Sequence, residues 1–174
     1  REEITMNRTY VITGAGSGIG AATAKALKDL GNIVIGVDLK NSDIDADLST
    51  PLGRHEGAKK VIETANGSID AVIACAGLAH PTAQTVAVNY FGVTEFLFAL
   101  LPTLTKSKAP RVAITSSVAS IMPNSPELVE AMCANDEAKA LEIAQALVDA
   151  GNGGDQLIYG STKRAISRWI RQQC

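Results

Sequence analysis

Thr13-Gly14-Ala15-Gly16-Ser17-Gly18-Ile19-Gly20 closes the apolar run Tyr10-Val11-Ile12 and opens the alanine-rich segment Ala21-Ala22-Thr23-Ala24-Lys25-Ala26-Leu27. A β-branched run, a glycine turn and a helix-forming run in succession form the strand–loop–helix on which a dinucleotide's pyrophosphate rests. Residues without a Cβ allow a tight turn, close approach of backbone N–H groups to phosphate, and close packing of helix on strand. The helix then presents unpaired N–H groups and the positive end of its dipole. A glycine triplet alone also suits an ordinary strand-to-helix turn, so its surroundings decide.

Those surroundings favour the nucleotide. After a turn at Gly31-Asn32, a second apolar run, Ile33-Val34-Ile35-Gly36-Val37, ends in Asp38-Leu39. Asp38 stands about 20 residues beyond the glycines, where a βαβ unit places a carboxylate for the adenosine ribose hydroxyls. A strand-end turn residue is its plainer reading. Asp47, in the acidic loop Ile44-Asp45-Ala46-Asp47-Leu48-Ser49, suits either an adenine amino group or a helix cap. Ala76-Gly77, after a third apolar run, would let backbone lie flat against an adenosine.

The 174 residues are 46% hydrophobic with a formal charge of −2, which suits one globular domain with a real core. The near-neutral balance argues against a nucleic-acid surface, and no stretch reads as long and charge-free enough to span a membrane. Residues 1–5 precede Met6 and read as a leader or tag remnant, with no apolar signal segment after them, so a soluble, cytoplasmic protein is expected. Cys75, Cys133 and Cys174 are widely spaced and odd in number, and His55 and His80 stand alone. Neither a disulfide framework nor a metal site is expected.

Strands are expected near 8–13, 33–38, 69–74 and 110–115, and helices near 18–30, 53–65, 84–105 and 157–172. This alternation specifies an α/β fold with a doubly wound parallel sheet, a Rossmann fold. Val72-Ile73-Ala74-Cys75 and Val112-Ala113-Ile114 lack polar alternation, as strands buried on both faces do. Ligands in such sheets bind at the carboxyl ends of the strands. The alternation lapses over 122–156, where Met122-Pro123-Asn124-Ser125-Pro126 breaks the chain and two polar-faced helices, Glu127 to Met132 and Asp136 to Ala150, precede Gly151-Asn152-Gly153-Gly154. This reads as a helical insertion serving as a lid or a subunit contact, or as a surface excursion.

Tyr159-Gly160-Ser161-Thr162-Lys163 opens the last helix, and the i, i+4 spacing puts phenol and ammonium on one face. A free tyrosine titrates near ~10, and an ammonium held beside it stabilises the phenolate. Ser117, at the end of the preceding strand, can donate to a substrate oxygen. Such a pair alone is common on exposed helices; the glycine turn and the strand-end serine give it meaning.

With these residues in hand, the chain resembles the short-chain dehydrogenase/reductase family from residue 8 to 172. Thr-Gly-x-x-x-Gly-x-Gly matches 13–20, the acid before the adenine pocket matches Asp47, the strand-end Asn-Ala-Gly is approximated by Cys75-Ala76-Gly77, and Tyr-x-x-x-Lys matches 159–163. The resemblance implies that Tyr159 is the acid/base, that Lys163 lowers its pKa and binds the nicotinamide ribose, and that Ser117 positions the substrate oxygen. It further implies that Asn89, in Ala87-Val88-Asn89, supports a water-mediated proton path to the lysine. The nucleotide contacts it implies are Gly14, Gly16, Ser17, Gly18, Ile19, Gly20, Asp38, Leu39, Asp47, Leu48, Cys75, Ala76, Gly77, Asn89, Tyr159 and Lys163. Cys75 replaces the usual asparagine, and the insertion lengthens the gap between Ser117 and Tyr159.

NAD is the expected cofactor over NADP, because Asp38 would repel a 2′-phosphate and the glycine turn carries no Arg or Lys, Lys40 being the nearby cation. The implied activity is hydride transfer between nicotinamide and a small secondary alcohol or ketone, a 3-hydroxysteroid or another carbonyl compound. An aromatic-alcohol dehydrogenase and a non-catalytic NAD-binding sensor are the alternatives. A homodimer or homotetramer is implied, as is a continuation of the family chain past Cys174 through further strands and a substrate loop.

Overall fold

The computed structural model describes residues 7–173. Residues 1–5, read above as a leader, and Cys174 lie outside them. The chain forms two compact units, one comprising the residues up to Asp47, Leu52–Ala76 and Leu97–Thr115, the other Leu48–Pro51, Gly77–Phe96 and the residues from Ser116 on.

The first unit holds the sheet. Its strands are β1 (Thr9–Thr13), β2 (Ile33–Asp38), β3 (Ile44–Asp45), β4 (Ala71–Ala74) and β5 (Arg111–Ile114), all parallel in the order β3-β2-β1-β4-β5. Central β1 pairs with β2 through Tyr10 opposite Val34 and with β4 through Val11 opposite Val72. Val11, Ile12, Val37 and Val72 are wholly inaccessible, as continuous β-branched runs require in a parallel sheet covered on both faces. Helix α1 (Gly18–Asp29) turns the small residues Gly20 and Ala24 inward, and Ile12, Ala24 and Val34 form a cluster closed by Tyr10, Ala15, Leu27 and Ile73. Helix α2 (Pro51–Ala65) begins two residues earlier than expected, with proline at its first position, where the missing N–H costs no intrahelical bond.

Three expectations are corrected. The acidic loop contains the short strand β3, which two β-ladder pairs attach to β2 and which is too brief to leave a periodic signal. Strand β5 is not buried on both faces in this chain: Arg111, Val112 and Ala113 are exposed, and among the described residues β4 is the strand it pairs with. Finally, the 22-residue helical run Ala83–Leu104, with hydropathy 1.4, is long and apolar enough to cross a membrane by length and composition. In the structure 67% of its apolar window is buried, as in the core helix of a soluble protein.

At the amino ends of the strands, Asp70 accepts from Thr9 N at 2.9 Å and from the Ser107 hydroxyl at 2.6 Å. The Ser107 bond first, then the Thr9 amide, with nearby Arg8 adding to them, hold its carboxyl below the ordinary aspartate value against the opposing effect of burial. A depressed folded value contributes stability that is present above the unfolded value of ~3.9 and is lost as pH falls through the folded one. Asp70→Asn is therefore expected to melt below wild type at pH 7, with the gap closing below about pH 4 in a thermal-melt series. A gap independent of pH would mean that the carboxylate's charge contributes nothing there.

The second unit is helical. It contains α3 (Ala83–Val86), a π-helical turn over Ala87–Phe91, the start of α4 (Gly92–Leu104), a 3₁₀ turn over Val118–Ile121, α5 (Pro126–Cys133), α6 (Glu137–Asp149), a 3₁₀ turn over Gly154–Gln156, and α7 (Leu157–Gln172). The expected single helix over 84–105 is thus interrupted by the wide turn that carries Asn89. The two helices expected within 122–156 form as α5 and α6. Ser125 caps α5 by accepting from Leu128 N, and Asp136 caps α6 by accepting from Lys139 N. Leu128 and Met132 of α5, Ala140 and Ala144 of α6, and Ile158 and Ala165 of α7 are fully buried.

Candidate active site

In the first unit, the glycine turn is tied to the end of β2 by its first amides and opens at the start of α1. Gly14 N and Ala15 N both donate to Val37 O, which ties the turn to the end of β2. Helix α1 begins at Gly18 with no side-chain cap from Ser17 and no acid in its first turn. Ile19 there is 69% exposed. Gly18 has φ +53, and nothing lies within 4 Å of where its Cβ would stand. An anion can approach such a helix start without displacing protein, so these residues fit a dinucleotide's phosphates.

Asp38 ends β2 with its carboxylate turned to the loop, Oδ2 accepting from Gly16 N at 2.8 Å and Oδ1 from Leu39 N at 2.6 Å. Lone pairs remain on both oxygens. Leu39 is exposed, 62% of its surface accessible. Asp47 is exposed. At the end of β4, Cys75 N donates to Thr13 O and Ala76 N to the Thr13 hydroxyl. Leu48 and Gly77 belong to the second unit, Leu48 buried and Gly77 exposed.

The second unit holds the four residues expected to carry chemistry. Ser117 precedes the 3₁₀ turn over 118–121; its Oγ accepts from Ala119 N at 3.1 Å and keeps its own proton to donate. That turn packs on the first turns of α7, where Arg164 reaches Ser120 O. Tyr159 is half-buried, and its hydroxyl makes no hydrogen bond to a described residue. Lys163, 7% exposed, holds Nζ 5.7 Å from the Tyr159 ring centroid, the arrangement that the i, i+4 spacing called for. Asn89, 2% exposed, uses its whole carboxamide: Oδ1 accepts from Leu78 N at 2.7 Å, and Nδ2 donates to Leu78 O at 2.9 Å and to the Thr162 hydroxyl at 3.2 Å.

Thr162 escaped the sequence reading. Its hydroxyl accepts from Asn89 and donates to Tyr159 O at 2.8 Å, linking the π turn to the backbone of the tyrosine. Being the residue before Lys163 was its one visible signal. Tyr90, beside Asn89, is the competing phenol. Burial first, and then its contact with the Cys133 thiol, push its hydroxyl above the usual tyrosine range. It stays protonated at neutral pH and 1% exposed, so it cannot exchange a proton with a ligand. The thiol is raised chiefly by burial as well. Among the described residues no group of His, Cys, Asp or Glu could hold a metal ion.

Parallel strands with a glycine turn after β1, and Tyr159 and Lys163 one turn apart on α7, suit a Rossmann-fold chain of the dehydrogenase kind. The chain belongs to the short-chain dehydrogenase family, whose signature matches residues 8–134. It is 38% identical over 168 residues to the 3-alpha-hydroxysteroid dehydrogenase/carbonyl reductase of Comamonas testosteroni, an alignment covering 94% of this chain and 64% of that protein. That alignment runs beyond the family signature, which stops before α7. A coniferyl-alcohol dehydrogenase from a Pseudomonas species is 40% identical over 101 residues, 55% of this chain and 39% of its own length. The crystal structure of the 3-alpha-hydroxysteroid dehydrogenase from Pseudomonas sp. B-0831, complexed with NADH, superposes with a TM-score of 0.87 at 39% identity, covering 95% of this chain and 71% of that one. The chain thus spans about two thirds of the length of these hydroxysteroid relatives.

Proposed function

We propose that the chain carries the nucleotide-binding and acid–base residues of an NAD(H)-dependent oxidoreductase acting on a secondary alcohol or ketone, a 3-hydroxysteroid or related carbonyl compound. The observation that supports this most is the pairing of two uncommitted hydroxyl protons, on Ser117 and Tyr159, with a buried lysine beside the tyrosine ring. Tyr159 gives its proton to a carbonyl oxygen, or takes one from a carbinol, and Lys163 keeps positive charge next to the phenol as it does so. Ser117 donates to the same substrate oxygen and fixes its position. Asn89 serves the lysine side of the proton path by bracing Leu78 and Thr162, since its own amide hydrogens are already used.

A bound nicotinamide supplies or accepts the hydride. The open start of α1, with Gly14 to Gly20, would take its pyrophosphate, and Asp38 its adenosine ribose. Asp47, Cys75 and Ala76 of the first unit would line the adenosine. Preference for NAD over NADP follows from the Asp38 carboxylate at Gly16 N, which would repel a 2′-phosphate. The identity shared with the hydroxysteroid enzymes supports the substrate class. The coniferyl-alcohol relative supports an aromatic alcohol as the second reading. Assembly as a homodimer or homotetramer in the cytoplasm completes the proposal.

The test follows absorbance of the reduced nicotinamide with NAD and with NADP over hydroxysteroids, aromatic alcohols and simple ketones, using the full-length protein. Turnover of a hydroxysteroid or ketone, faster with NAD, is expected. Tight nucleotide binding without turnover across the panel would overturn the enzymatic reading in favour of a sensor.

A further inference from the structure

Resting on the acid–base role of Tyr159 just proposed, we infer that Ser161 is a positioning residue that clamps the insertion onto the catalytic helix and so fixes Tyr159 against Ser117. Ser161 is fully inaccessible and faces the protein two residues after the tyrosine. Its hydroxyl donates to Leu157 O at 2.8 Å, one turn back along α7, and accepts from Ser125 N at 2.9 Å. Ser125 is the residue at which the insertion turns into α5. One hydroxyl therefore joins the first turn of α7 to the start of the insertion.

A second contact lies next to it. A Cβ on Gly160 would stand 2.9 Å from Pro123 O and 3.3 Å from Ala119 O, so the segment 119–123 runs against the helix too closely to admit a side chain. This same segment leads out of Ser117. It is held at its beginning by the bond from Ala119 N to the Ser117 hydroxyl oxygen and at its end by Ser125 N on Ser161. Ser117 thus heads a short span whose far end is pinned to the helix that carries Tyr159, and the pin on α7 is Ser161. Thr162, tied to Asn89 and to Tyr159 O, fixes the other side of the same turn.

The experiment compares Ser161→Ala with Ser125→Ala in the full-length protein. Ser161→Ala removes the acceptor of Ser125 N and loosens the clamp. Ser125→Ala removes the cap of α5 but keeps the N–H that binds Ser161, so it reports on insertion stability alone. Displacement of a reacting group by a fraction of an ångström costs roughly tenfold in turnover. Ser161→Ala is therefore expected to lose kcat about tenfold while NADH Kd, read by nucleotide fluorescence, stays within about twofold. Ser125→Ala should lower Tm while keeping kcat within about twofold.

Equal kcat losses in both variants would reduce Ser161 to a structural residue and overturn the inference. So would a Ser161→Ala enzyme that keeps wild-type kcat. Wild type and Tyr159→Phe with the same turnover would instead bring down the acid–base reading itself, and the inference with it.

Discussion

Tyr159→Phe is expected to lower kcat by about 10²- to 10⁴-fold, the range associated with loss of a positioned general acid/base. The structure separates this loss from any loss of fold. The Tyr159 hydroxyl binds no described residue, while its ring packs beside the Lys163 ammonium. Phenylalanine keeps that packing, so Tm should move by no more than the equivalent of about 0.5 kcal/mol. NADH affinity should change little, because the contacts proposed for the nucleotide lie mainly in the glycine turn and at Asp38. A fall in kcat matched by kcat/KM, at unchanged Kd for NADH, identifies an interaction made in the transition state. Retention of more than about a tenth of wild-type kcat would remove Tyr159 from the acid–base role. Tyr90 would be no replacement, since burial holds its proton in place.

Much of the first unit could be read from local pattern because its physics is local. A glycine turn between a β-branched run and an alanine-rich run has few other uses, and the β1–α1–β2 segment formed as that pattern requires. The pairing of Tyr159 with Lys163 on α7 was legible for a similar reason: an i, i+4 pair shares a face whatever the rest of the chain does. The misses depend on partners distant in sequence. Whether Val112 is buried depends on what packs against the faces of β5, which its own residues do not encode. The hydropathy of 83–104 fits a membrane span as well as a core helix, and only the residues packed around it distinguish the two. Ser161 and Thr162 stand between Tyr159 and Lys163 with no pattern of their own in the sequence. Their hydroxyls acquire meaning from Asn89 and Ser125, which meet them only in the folded chain. The π turn at 87–91 is a further case, for Ala87-Val88-Asn89-Tyr90-Phe91 carries no helix-breaking residue.

The glycine turn yields the other large effect, and it comes from two neighbouring glycines that do different work. A Cβ at Gly20 would lie 2.1 Å from Gly14 O and 2.6 Å from Gly14 C, both backbone atoms of the same turn. Neither can swing aside as a side chain would, so Gly20→Ala must push α1 off the end of β1. A loss of more than about 3 kcal/mol is expected, enough to leave much of the protein unfolded. Gly18 meets nothing within 4 Å, and its cost on substitution comes from φ +53 alone, about 1–2 kcal/mol for a residue with a Cβ. Gly18→Ala should therefore fold, with Tm lowered by roughly 2–8 °C. Its added methyl would nevertheless occupy the open face at the start of α1, where the phosphates are proposed to sit, and weaken NADH binding at least about tenfold. Circular-dichroism melts and nucleotide fluorescence on the two variants separate these roles. A Gly18→Ala protein that folds and still binds NADH like wild type would place the pyrophosphate away from this helix start, while a stable Gly20→Ala protein would mean that α1 has room to move.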